Sequence, residues 1–161
     1  MRSIWLAIIA TIICLIVAYP LAYLLSRMSK HTQGTMLMIV MLPMWMNFLL
    51  RTYAWMTLLG NNGIINQLLG LIGLGPFKLI NTEGAVVLGM VYNYLPFMIL
   101  PLYSVMEKID KSIIEAANDL GCNSAHTMLR VIFPLSLPGV TSGITMVFVP
   151  CLLYTSPSPR D

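Results

Sequence analysis

Long apolar runs alternate with short polar breaks along the chain, and the length of each run predicts an element. Residues 4–25 read IWLAIIATIICLIVAYPLAYLL, without a charged side chain. At about 1.5 Å per residue, a helix of that length covers the roughly 30 Å hydrocarbon layer of a bilayer. A cleavable leader would be shorter and followed by a small-residue cleavage site, which is not seen. Pro20 lies near the end of the run, where a kink is tolerated. Residues 36–59 predict a second span, kinked at Pro43 and interrupted by Arg51. A charge at bilayer depth is costly, so Arg51 is expected to reach an interface or to face a protein-lined cavity. Tyr53 and Trp55 fit an interfacial aromatic belt. Residues 84–106 predict a third span, broken or bent at Pro96 and Pro101. A fourth opens at residues 139–150 but stops after about a dozen residues, fewer than a crossing needs. Gly139 and Gly143 within it have the spacing that lets a neighbouring helix approach closely. Between the second and third spans, residues 60–83 carry an NNG turn and a glycine-rich apolar stretch. This reads as a short helix lying on the membrane surface.

Composition agrees with that pattern. The 161 residues are 58% hydrophobic and 9% charged, against about 25% charged in a soluble domain. Mean hydropathy is +0.82. A soluble domain and a disordered chain are excluded, because water would not solvate this much apolar surface. Three cysteines cannot staple a chain of this length into a disulfide scaffold. The net charge of +3 is small and scattered, so nucleic acid is not an expected partner. The predicted fold class is all-α: a polytopic transmembrane helical bundle of three full spans plus a truncated fourth, in a lipid bilayer. Arg27, Lys30, Lys108, Lys111 and Arg130 fall on one side of the predicted spans, and Arg2, Arg51 and Lys78 on the other. That bias places the first group in the cytoplasm and the N-terminus outside.

The loop at residues 110–138 reads DKSIIEAANDLGCNSAHTMLRVIFPLSLP. Ser112 and Glu115 fit a capping box that starts a helix. Ile113, Ile114, Ala117 and Leu120 fall on one face of that helix, and Gly121 suits its left-handed stop. A second helix is expected from Asn123 or Ser124 to the residues before Pro134. The loop is then a compact helix–turn–helix joined to spans at both ends, able to pass force between a soluble partner and the membrane.

EAANDLG followed by VIFP resembles the EAA signature of membrane subunits of binding-protein-dependent ABC importers. The family pattern is E-A-A, three residues, G, nine residues, then I-x-L-P. Glu115, Ala116, Ala117, Gly121 and Pro134 match it, with Val131 and Phe133 as apolar replacements. YPLAYLLSR, LPMWMNFLLRTYAW and LPFMILPLY resemble the spermidine/putrescine branch of that family. Phosphonate, ferric iron and thiamine carriers have similar permeases. The resemblance implies an inner-membrane permease subunit without an ATPase site of its own, its loop docked on a cytoplasmic ATPase subunit that holds ATP and Mg. It also implies a second permease subunit, a periplasmic substrate-binding protein, and a longer chain with further spans.

The C-terminal string CLLYTSPSPRD, residues 151–161, breaks the apolar pattern. It equals one reading frame of a transposon-end sequencing adaptor, so the permease domain is expected over 1–150 and the tail is expected to be non-native. A genuine polar loop is the alternative.

No G-x-x-x-x-G-K-[ST] loop occurs, so ATP is not expected to bind this chain. Cys122 and His126 could make half a metal site, and Met36, Met38, Met41, Met44 and Met46 could suggest a copper path. Without further ligands, an ordinary surface pair and a methionine-rich packed span are the expected readings, and no metal site is assigned. Nor can a nucleophile, base and orienter be assembled. A secondary transporter is the rival class, but it usually needs a membrane-embedded carboxylate, and the predicted spans contain none. The candidate translocation path takes the polar and aromatic groups of the interrupted spans: Asn47, Arg51, Tyr53, Trp55, Tyr92 and Asn93. Aromatic faces suit an organic cation, whereas Arg51 would repel one unless it points away or is paired.

Overall fold

A computed structural model describes residues 1–75, 78 and 82–155. Among these, the regular elements are helices: α1 (Arg2–Arg27), α2 (Lys30–Trp45), α3 (Phe48–Leu59), α4 (Ile64–Leu71), α5 (Glu83–Glu107), α6 (Lys111–Asp119), α7 (Ser124–Thr127) and α8 (Phe133–Thr155). A π-helical turn, Met128–Ile132, joins α7 to α8.

Three long helices form the body. One face of α1 is a strip of small residues, Ala7, Ala10, Cys14, Ala18 and Ala22, all fully buried. They recur every three or four positions, so the backbones of α1 and its neighbours approach closely. The Cys14 thiol lies 3.7 Å from the carbonyl of Val91 on α5. α1 and α5 run parallel: Arg2 pairs with Glu83 at one end, and Arg27 reaches the Ile109 carbonyl at the other. α8 runs antiparallel to both and covers them with Val140 and Val147. Gly139 and Gly143 of α8 lie against α5. A β-carbon would come within 3.0 Å of the Pro101 carbonyl at Gly139, and within 2.7 Å of Met98 Sδ at Gly143. The expected close approach is realised at both glycines.

Several predicted boundaries are corrected. The second span is not one helix kinked at Pro43. Pro43 lies inside α2, and the chain breaks at Met46 and Asn47, so that Lys30–Trp45 and Phe48–Leu71 meet at 90°. α5 runs unbroken through Pro96 and Pro101, held between α1 and α8. The fourth segment is longer than residues 139–150: Ser124–Leu153 forms a helical run long and apolar enough to cross a membrane. The second loop helix therefore does not stop before Pro134 but continues into α8. Proline has no N–H to bond the Arg130 carbonyl four residues back. The helix accommodates this with a π turn, in which the Phe133 N–H bonds to Met128. Pro134 and its predecessor then open α8 at a position where a missing N–H is tolerated.

By length and composition, the described residues hold three helices able to cross a membrane, or four if the bent pair is one span. α8 runs on to Thr155, with Cys151 buried and Leu152 packed on the core. The rest of the expected non-native tail, 156–161, lies outside the described residues. Within the expected surface stretch at 60–83, α4 is a short helix with Ile64, Leu68 and Leu71 exposed, and residues 76, 77 and 79–81 lie outside the described residues. α4 ends in a left-handed Gly73 (φ 81°).

Candidate functional site

The signature loop sits at the end of the bundle that gathers Arg27, Lys30, Lys108 and Lys111. Asp110, not Ser112, caps α6: its carboxylate accepts the Ser112 N–H at 3.2 Å, and its carbonyl accepts the Ile113 N–H. Asp is as good a cap as Ser, and Asp110 comes two residues earlier. Glu115 consequently lies in the second turn, exposed, and is not part of a capping box. Gly121 has φ 82°, as its place after the helix requires. The Gly121 N–H bonds to Asn118 at 2.9 Å and the Cys122 N–H to Ala117 at 3.1 Å, the two crossed bonds of a Schellman stop. Asn123 then caps α7 through the Ser124 N–H, and the Thr127 hydroxyl donates to Asn118 across the turn.

The apolar face predicted for α6 is divided. Ala117 is buried, and Ile114 packs on the core and holds the loop to the bundle. Ile113 and Leu120 point outward, Leu120 being 86% exposed, with Ala116 beside them. Leu129 on the π turn is also exposed. Ala116 is thus the small residue that a partner can approach, and Ala117 is not.

Polar residues that the pattern did not single out tie this loop to the spans. The Arg27 guanidinium donates to the Ile109 carbonyl at 3.5 Å and stacks 5.6 Å from the Tyr23 ring. Buried Gln33 donates to the carbonyls of Ser26 and Met28 and accepts the Tyr103 hydroxyl at 3.0 Å, joining α1, α2 and α5. Tyr19 and Ser136 share a hydrogen bond of 3.0 Å between α1 and α8. For Tyr19 and Ser136 the available signal was a polar side chain within an apolar run, which in lipid must find a partner within the protein; Arg27 and Gln33 lie in the polar break at residues 26–35, where no such signal exists.

The candidate path residues separate into two groups. Arg51, Trp55, Tyr92 and Asn93 come together between the α2–α3 elbow and α5. Arg51, Trp55 and Tyr92, with Met46, Ala54 and Leu58, line a cleft of about 220 Å³. Arg51 and Asn93, with Met44, Phe48, Tyr94 and Phe97, line another of about 290 Å³. The Trp55 and Tyr92 rings meet edge to face at 5.2 Å. Asn93 Oδ1 is buried without a hydrogen-bond partner. The guanidinium of Arg51 faces this space, donates to the Pro43 carbonyl at 3.4 Å and lies 5.7 Å from the Phe48 ring centre. Asn47 and Tyr53 do not join them. Asn47 is exposed and caps α3 by accepting the Leu49 N–H, and Tyr53 is 67% exposed. Asn47 leaves the cleft because the chain breaks there and its side chain caps α3, and Tyr53 because it lies two residues from both Arg51 and Trp55, on the opposite face of the same helix.

A family described as binding-protein-dependent transport system inner membrane component matches residues 3–156. The chain belongs to that family. Its relatives include the spermidine/putrescine transport system permease protein PotB of Haemophilus influenzae, 45% identical over 146 residues, covering 89% of this chain and 51% of the relative. PotB of Escherichia coli K12 is 38% identical over 160 residues, 97% of this chain and 58% of the relative. The inner membrane ABC transporter permease protein YdcU of the same organism is 32% identical over 165 residues, 92% and 52% respectively. The chain spans about half the length of the curated relatives it matches. As a binding-protein-dependent transport component, it is a multi-pass protein of the inner membrane.

Proposed function

We propose that this chain is a membrane-spanning permease subunit of an ATP-driven, binding-protein-dependent importer, and that its cargo is a polyamine of the spermidine/putrescine type. The observation that carries the permease reading is the loop at the basic end. It is a capped helix with a left-handed stop, bonded to the spans on its inner side and apolar on its outer side. A cytoplasmic ATPase subunit takes Ile113, Ala116 and Leu120 into a groove and pairs a basic residue with Glu115. Movement of the ATPase then reaches α1 and α5 through Arg27 and Ile109. The hydrolytic site, with ATP and Mg, lies on that partner. A periplasmic binding protein delivers the cargo, and a second permease subunit completes the path.

The cargo reading is supported by the names of the PotB relatives and by the rings of Phe48, Trp55, Tyr92, Tyr94 and Phe97 around the clefts. Aromatic faces attract organic cations. Arg51 favours a second reading, a small anion such as a phosphonate. The test is uptake by the complete transporter in liposomes with its binding protein, spermidine competing against a phosphonate. Spermidine uptake without phosphonate uptake is expected. The reverse outcome assigns Arg51 to an anion and removes the polyamine.

A further inference from the structure

We propose that Arg51 is a tethered cation that fills the ammonium seat of the cleft when cargo is absent, and that a cargo ammonium displaces it. The inference rests on the polyamine reading above. It begins at the elbow. In a continued helix the Pro43 carbonyl would accept the Asn47 N–H, but α2 ends at Trp45 and Met46 is extended. The freed carbonyl is an acceptor at the negative end of a helix, where a cation is favoured. The Phe48 ring stands beside it, and a ring face within about 6 Å also attracts a cation. Carbonyl and ring form one seat, and the guanidinium of Arg51 occupies it, at 3.4 Å from the oxygen and 5.7 Å from the ring centre.

Two further observations point to exchange with a ligand. Arg51 lines both clefts, one of about 220 Å³ and one of about 290 Å³. Asn93 Oδ1, buried in the second, is an acceptor with no donor. The guanidinium bonds the Pro43 carbonyl and leaves Asn93 Oδ1 as an acceptor for a cation that carries several N–H groups. Among the described residues, those lining the clefts include no carboxylate. The seat therefore holds a cation through carbonyls and ring faces alone, which suits passage more than storage. Arg51 also closes the elbow, so displacing it frees the α2–α3 bend to move.

The test uses the complete transporter in liposomes without its binding protein, with Ala54→Cys as a reporter in the first cleft and Cys122→Ser as the background. Spermidine is titrated as a protectant against a thiol reagent. Arg51→Gln should lower the half-protecting concentration about tenfold, while Arg51→Lys, which keeps the tethered charge, stays near the parent. Phe48→Leu, at an exposed position, should raise it several-fold. Spin labels at Met38→Cys and Met56→Cys should report a broadened distance across the elbow in Arg51→Gln only. Equal protection in Arg51→Gln and the parent, or no change with Phe48→Leu, overturns the seat and leaves the polyamine reading standing. Absence of protection in every variant, with normal labelling, overturns both.

Discussion

Asp110, Glu115 and Gly121 have separable roles, because the cap lies outside the EAA triplet. Asp110→Ala removes an N-cap and should destabilise α6 by about 1 kcal/mol, seen as loosened amide protection over Lys111–Asp119. Glu115→Ala leaves that cap intact, so any loss of ATPase co-purification reports on the partner alone. Gly121→Val places a β-branched side chain at φ 82°, a strain of about 1 kcal/mol or more, although nothing crowds the site. It also undoes the two crossed hydrogen bonds that aim α7. We expect normal membrane insertion, weakened ATPase co-purification and loss of cargo-stimulated hydrolysis. Ala116→Asp should reproduce that loss by placing a charge on the outward strip. Ala117→Asp should instead disturb the loop itself, since Ala117 is buried against its own chain. Normal co-purification and hydrolysis for both Gly121→Val and Ala116→Asp would remove the loop as the coupling element.

At the scale of elements, the two glycines of α8 face different neighbours. A β-carbon on Gly139 would meet the Pro101 carbonyl at 3.0 Å and the β-carbon of Val105 at 3.2 Å, neither of which can yield without moving α5. A β-carbon on Gly143 would meet Met98 Sδ, near the end of a flexible side chain. Gly139→Ala should therefore lower the thermal stability of the detergent-solubilised protein more than Gly143→Ala, and the reverse order would show that the α5–α8 spacing is not set at Gly139. The apolar runs made α1 and α5 legible, and the G-x-x-x-G spacing marked the α5–α8 contact. What the sequence concealed has a common cause, in that prolines disturb helices in ways their position alone does not specify. Pro96 and Pro101 are absorbed within α5, Pro43 precedes a break three residues later, and Pro134 produces a π turn that joins loop to span. The elbow set α3 beside α5, and the helical period of α3 then brought Arg51 and Trp55 to Tyr92 and Asn93 and left Tyr53 on the opposite face. Tertiary packing and the satisfaction of freed carbonyls settle these outcomes, and neither is local.

For the whole molecule, the orientation of the parallel α1–α5 pair decides where each loop faces. Arg2 and Glu83 mark one end with an ion pair of 2.7 Å, exposed enough to contribute little stability. Arg27, Lys30, Lys108, Lys111 and the α6–α7 turn mark the other. α3 sits beside the half of α5 nearer Glu83, as the Trp55–Tyr92 contact shows, and the Gly60–Gly63 turn lies beyond it. That turn is fixed: Asn66 donates to the Gly60 and Asn61 carbonyls, and a β-carbon on Gly63 would fall 2.3 Å from the Leu58 carbonyl. Asn62, in that turn, is expected at the end opposite Lys30 and Asn118. Since basic residues favour the cytoplasmic side, Lys30→Cys and Asn118→Cys should resist an impermeant thiol reagent in intact cells, and Asn62→Cys should react. All three positions are exposed, so protection would reflect sidedness and not burial. Membrane permeabilisation should then make Lys30→Cys and Asn118→Cys reactive. Labelling of Asn118→Cys from outside intact cells would invert the bundle and place the signature loop where no ATP-hydrolysing partner can reach it.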